Sequence, residues 1–110
     1  MTSESLSRRG EFELLREQGI RFRKSNLQII YAPSPPDSVK FATAASKKAG
    51  NAVKRNKFRR RVREAFRICA GDLVSGSYLV SANSTSITIE LRDIIEILGE
   101  QQSYVRTKLS

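Results

Sequence analysis

The chain has 110 residues, 39% of them hydrophobic, with 20 Lys or Arg against 11 Asp or Glu, one cysteine and no histidine, for a formal charge of +9. That length suits one small domain over residues 1–110 with a modest core, and no apolar run reaches the roughly 18 residues of a membrane span. The opening MTSESLSRRG lacks the apolar segment of a secretory signal, so a cytoplasmic protein is the expectation, and a lone Cys69 with no histidine to activate it argues against disulfide and thiol chemistry alike.

In chain order, residues 10 to 18, GEFELLREQ, predict a short helix. Phe12 and Leu15 share a face of it, and Gly19 is expected to stop it in a left-handed cap. Ile20 to Lys24 alternates Ile20 and Phe22 with Arg21 and Arg23, the pattern of a short strand. A clearer strand follows: Leu27, Ile29 and Tyr31 alternate with Gln28, Ile30 and Ala32, so Tyr31 belongs to the sheet face of Leu27 and Ile29. Pro33, Pro35 and Pro36 end it, since proline cannot continue a paired ladder. Val39 to Ala45 predicts a third strand, with Val39, Phe41, Thr43 and Ala45 on one face, small enough to leave space above the sheet.

Lys47 to Arg67, KKAGNAVKRNKFRRRVREAFR, carries ten of the twenty basic residues and one acid, Glu64, a net +9 that equals the charge of the whole chain. The other residues balance ten bases against ten acids, so the excess is one concentrated patch suited to a polyanion. Phe58, Val62, Ala65, Phe66 and Cys69 fall on one side of a helix, and Asn56, Arg59, Arg60, Arg63 and Arg67 on the other. Guanidinium groups grip phosphate bidentately. Asn51 is the expected N-cap. Lys54, Arg55 and Lys57 then crowd the helix start, where the dipole disfavours cations unless an anion is bound. The alternative is a solvated basic face, against which stands the near absence of alternating acids.

Gly71 and Asp72 mark the helix exit, Ser77 to Asn83 predicts a fourth strand, and Asn83 to Ser86 a polar turn. A last helix follows, capped by Thr88 and burying Leu91, Ile94, Ile95 and Leu98. Glu90, Asp93, Glu96 and Glu100 line its outer side; that spacing is the mark of a solvated face rather than a metal site. The order αβββαβα predicts an α+β fold, a two-layer sandwich with a sheet of about four strands.

No acid, base or metal-binding cluster converges anywhere in the sequence, so no catalytic residue, metal or small-molecule substrate is expected of the protein itself. Three readings fit the patch: an RNA-binding enzyme subunit, a ribosomal or assembly protein that binds structured RNA, and a basic module for DNA or membrane. A DNA reader needs side chains for base edges. A membrane binder needs free apolar residues opposite the charge, and here Phe58, Val62 and Phe66 are required by the core.

The order S-K-K-x-G-N-A-V-x-R-N, followed by closely spaced basic residues and R-E-A-F, resembles the central motif of the protein subunit of bacterial ribonuclease P. The match runs from Ser46 to Phe66, and a looser, collinear likeness covers nearly all the chain. Two departures stand out: the usual Arg-Asn-Arg is Arg55-Asn56-Lys57, and the second aromatic of the first helix is replaced by Arg16. The resemblance implies a left-handed crossover about the central helix, against the usual hand. It also implies a catalytic RNA partner that uses Mg²⁺, the protein binding no cofactor, and removal of the 5′ leader from precursor tRNA. Residue by residue, it assigns RNA binding to Lys47, Lys48, Arg55, Asn56, Lys57, Arg59, Arg60 and Arg63, to which the charge pattern of the helix adds Lys54 and Arg67. Phe12 and Tyr31 fall on the aromatics of a cleft for the single-stranded leader, with Arg16 beside them; ordinary core packing is the alternative for each aromatic. Tyr31→Ala is then expected to weaken binding of precursor tRNA and not of mature tRNA.

Overall fold

The computed structural model describes residues 3–5, 9–33 and 38–109, without the side chains of residues 3–5, 9–12 and 14. Five strands and three helices follow in the order β1 (Ser3–Ser5), α1 (Arg9–Gln18), β2 (Ile20–Lys24), β3 (Leu27–Ala32), β4 (Val39–Ala44), α2 (Ala52–Cys69), β5 (Gly76–Ala82) and α3 (Leu91–Leu109). The sheet order is β1-β4-β5-β3-β2. Pairing is parallel for β1 with β4 and β4 with β5, and antiparallel for β5 with β3 and β3 with β2. The predicted α+β sandwich is present. Its one addition is β1, three polar residues with no apolar alternation to announce a strand. The hairpin from β2 to β3 turns through Ser25 and Asn26, both at positive φ (52° and 63°), the geometry that suits the twist of two-residue hairpins.

The two sheet faces bury different elements. Leu27, Ile29, Tyr31, Val39, Tyr78 and Val80 share a core with Phe58, Val62, Ala65 and Phe66 of α2 and Ile94, Ile97, Leu98 and Val105 of α3. On the opposite face a smaller cluster joins Leu15 of α1 to Ile30, Ala32 and Leu79. An aromatic chain runs through the larger core. Phe41 stacks on Phe66 at 4.4 Å, Phe66 meets Tyr78 edge-on at 5.3 Å, and Tyr78 meets Tyr31 at 5.0 Å. Each such pair contributes about 0.5–1.5 kcal/mol beyond its buried area, so α2 is seated on β4 and β5 in one orientation. Beneath this chain, Gly76 has φ 154°, and a Cβ there would strike the Tyr31 ring.

Two boundary expectations change. Gly19 is not in the left-handed region, since Gly76 is the glycine at positive φ among the described residues. Its N–H continues the helical pattern to the Leu15 carbonyl at 2.9 Å. Glycine is required there because any Cβ would collide with Ile30 and the Leu15 carbonyl. The last helix begins at Leu91, with the Glu90 carbonyl accepting from Asp93 and Ile94, and Thr88 does not cap it. Asn83 Oδ1 instead accepts from the N–H groups of Thr85 and Ser86, and Ser86 Oγ donates to the Asn26 carbonyl at 2.7 Å. That turn ties residues 83–86 to the hairpin and buries Ile87, and the helix starts two residues later than a Thr88 cap would have set it.

Burial raises both Tyr31 and Tyr78 above the ordinary tyrosine pKa. A folded pKa above the unfolded one contributes stability that is intact below the unfolded value, about 10, and is lost as pH rises toward the folded value. The two buried tyrosines are therefore expected to ionise only together with unfolding. Phenolate absorbance and circular dichroism recorded through the same alkaline titration check this; ionisation of both well before loss of structure would contradict the packing.

Candidate nucleic-acid interface

The patch is built by packing on one side and capping at one end. Phe58, Val62, Ala65 and Phe66 are buried, which turns the rest of α2 outward. Asn51 caps the helix, its Oδ1 accepting from Lys54 N at 2.9 Å. A tight turn from Ser46 to Ala49, closed by Ala49 N to the Ser46 carbonyl at 2.9 Å, holds Lys47 and Lys48 exposed just before it. Lys54, Asn56, Lys57, Arg59, Arg60 and Arg63 are exposed as well. Asn56 Oδ1 accepts from Arg59 at 2.9 Å.

The ten assigned residues are not equivalent. Arg67 lies against Glu64 in a bidentate pair, with Nε to Oε2 at 3.0 Å, and that hydrogen bond lowers the Glu64 pKa and raises that of Arg67. Its charge is therefore answered within the helix. Arg55 is half-buried, with Nε enclosed and without a hydrogen-bond acceptor. Lys47, Lys48, Lys54, Lys57, Arg59, Arg60 and Arg63 pair with no carboxylate among the described residues. The first turn of α2 holds no acid, so the positive helix end and these cations add.

The expected aromatic cleft is not assembled as the sequence suggested. Tyr31 is 1% exposed and faces α2 and α3, and its hydroxyl donates to the Ser75 carbonyl. α1 lies on the other side of the sheet. Side chains alternate along a strand, so the residue presented toward α1 is its neighbour Ile30, which packs with Leu15. Tyr31 is thus a core residue and is withdrawn from the leader-binding set. Phe12 lies in α1, but its side chain is outside the described residues; Arg16 is exposed. Beside α1 on that face, the register aligns Lys40, Ala42 and Ala44 with Ser77, Leu79 and Ser81, a floor of mostly small side chains. It is the opposite face of β4 from the one on which the sequence placed the open space, which Phe41 and Phe66 fill.

Among the described residues no three His, Cys, Asp or Glu are grouped to hold a metal ion, and no helix is long and apolar enough to cross a membrane. Cys69 is half-buried, with its pKa raised chiefly by burial. The ribonuclease P family profile matches residues 1–101. The chain belongs to the ribonuclease P protein family.

Its relatives agree. The ribonuclease P protein component of Chloroflexus aggregans is 34% identical over 101 residues, covering 86% of this chain and 75% of that one. That of Petrotoga mobilis is 38% identical over 64 residues, 58% and 54% of the two chains. Two solved structures share the fold: the Staphylococcus aureus RNase P protein, with a TM-score of 0.79 at 20% identity over 96% of each chain, and the Thermotoga maritima protein, with 0.78 at 23% identity over 90% and 94%. The family implies an RNA subunit as partner in an endoribonuclease complex that processes tRNA.

Sequence reasoning missed one feature of the surface. The ten bases and ten acids outside the central stretch sum to zero, but among the described residues some of them stand apart in space. Glu90, Asp93, Glu96 and Glu100 gather along α3, lining a cleft of about 480 Å³ with Lys24 and Arg92. Arg16, Arg21 and Arg23 are exposed at the end of α1 and on β2. Only strand register, which net charge ignores, separates the two groups.

Proposed function

We propose that the protein binds the RNA subunit of ribonuclease P through α2 and the loop before it, and holds the single-stranded 5′ leader of precursor tRNA along the sheet face beside α1. The observation that carries this reading is the set of seven cations without carboxylate partners among the described residues, two in the turn before α2 and five on that helix, whose other side is fixed by the aromatic core. Desolvating such a set is favourable only against phosphates. Lys47, Lys48, Lys54, Lys57, Arg59, Arg60 and Arg63 make the main contacts. Arg55 and Asn56 support them from the helix start, and Arg67 contributes least because Glu64 occupies it. On the leader side, α1 carries Phe12 and Arg16 beside a sheet face of mostly small side chains, and we assign to them the stacking and the phosphate contact that a strand of any sequence needs.

Catalysis in this reading belongs to the RNA and the Mg²⁺ it holds. The protein acts as one RNA-binding unit in the bacterial cytoplasm, raising the complex's affinity for substrates that carry a leader. Equilibrium binding tests this by comparing the RNA subunit alone with the reconstituted complex on precursor and mature tRNA. The protein is expected to tighten binding of the precursor selectively. Equal tightening of both, or of neither, contradicts the leader role.

A further inference from the structure

Arg21 and Arg23 alternate with Phe22 on β2, the open edge of the sheet, and pair with Ile30 and Gln28 of β3. Ile30 points at α1, so both guanidinium groups project on the α1 face, roughly 6.8 Å apart along the strand. That is close to the step between successive phosphates of an extended single strand. Arg21 donates to the Arg16 carbonyl at 2.5 Å, which ties the edge to the end of α1, and Arg23 donates to Asn26 Oδ1 at 3.3 Å. Arg16, Arg21 and Arg23 are exposed, and none pairs with a carboxylate among the described residues.

This cluster stands at the far edge from the α2 patch. β2 is three strands from β4, roughly 14 Å across the sheet. α2 also packs on the opposite face of the sheet from the one on which these arginines project. Of the acids that cancel these arginines in the net charge, Glu90, Asp93, Glu96 and Glu100 gather at α3 on the other face, with Glu100 held by Lys24 at 2.5 Å, while Glu13 and Glu17 lie on α1 with Arg16. An extended row of two guanidinium groups matches a flexible single strand better than a rigid duplex.

Resting on the leader reading above, we infer that Arg21 and Arg23, with Arg16 beside them, form a phosphate track for leader nucleotides beyond those that lie next to the cleavage site. The track makes affinity for precursor tRNA depend on leader length. The test uses the reconstituted complex with precursors of graded leader length and mature tRNA, across a salt series, comparing wild type with the Arg21→Ala/Arg23→Ala variant. Wild type is expected to gain affinity as the leader lengthens. The variant should lose the later part of that gain, and its slope of log K against log salt should fall by about 1.4 on long leaders, at about 0.7 per single-strand phosphate contact. Short leaders and mature tRNA should bind both proteins alike. Equal affinities of variant and wild type on every leader, or an equal loss on mature tRNA, overturn the track while leaving the leader role intact. A wild-type complex that does not distinguish precursor from mature tRNA overturns both.

Discussion

Replacing Tyr31 by Ala is expected to unfold the protein rather than to empty a binding site, at a cost of about 3–5 kcal/mol, as for other large-to-small aromatic truncations in a core. The ring is 1% exposed, packs edge-on against Tyr78 at 5.0 Å and covers Gly76, so its removal leaves a cavity that no neighbour can fill without moving β5. The Ser75 carbonyl also loses its donor, adding about 1 kcal/mol. Tyr31→Phe keeps the ring and should cost only that smaller part. Because the Tyr31–Tyr78–Phe66–Phe41 chain seats α2, the Ala variant should lose affinity for precursor and mature tRNA alike under conditions where it is partly unfolded. Thermal or urea denaturation with both variants checks this. An Ala variant of unchanged stability that loses only leader binding restores Tyr31 to the cleft.

Removing Arg59, Arg60 and Arg63 together is expected to have the largest effect on RNA binding with almost none on folding. All three are exposed, and alanine is a better helix former than arginine by a small margin. If each contacts one phosphate, the triple Ala variant should reduce the slope of log K against log salt for the RNA subunit by roughly 2 to 3, at 0.7–0.9 per contact. Two controls separate patch from bulk charge. Arg92→Ala removes an exposed cation that sits beside Glu90 at 3.3 Å and should leave the slope unchanged. Arg67→Ala, whose partner is Glu64, should change it less than any single member of the triple. Equal slope changes at Arg92 and at Arg59 would show that net charge, not placement, governs binding.

The contrast between these two variants marks what the sequence made legible. The amphipathic period of Phe58, Val62, Ala65 and Phe66 placed α2 and its charged side, and the Asn51 cap lay where the residue types required it. Four of the five described strands, all but β1, followed from alternation within a residue or two. Alternation says which side chains share a face, however, and not which helix covers that face. Tyr31 was correctly grouped with Leu27 and Ile29, yet the helix over that group is α2, not α1. A one-residue difference in register exchanges Tyr31 for Ile30, and the error in the cleft is of that kind. Gly19 was read as a conformational requirement when the constraint is steric, set by Ile30 from a strand that local pattern does not show to be near. The balanced charge outside α2 hid the Arg16, Arg21 and Arg23 cluster for the same reason: composition carries no coordinates.

The central claim is that this chain contributes binding to a ribonuclease P complex and that none of its side chains cuts RNA. Cleavage of precursor tRNA at low Mg²⁺, measured with the RNA subunit alone, with nuclease-free protein alone and with the two combined, tests it most directly. The account predicts negligible cleavage by the protein, weak cleavage by the RNA, and a strong rise when they are combined that is lost in the Arg59, Arg60 and Arg63 triple variant. Specific cleavage by the protein alone, or a complex no more active than its RNA, would contradict it.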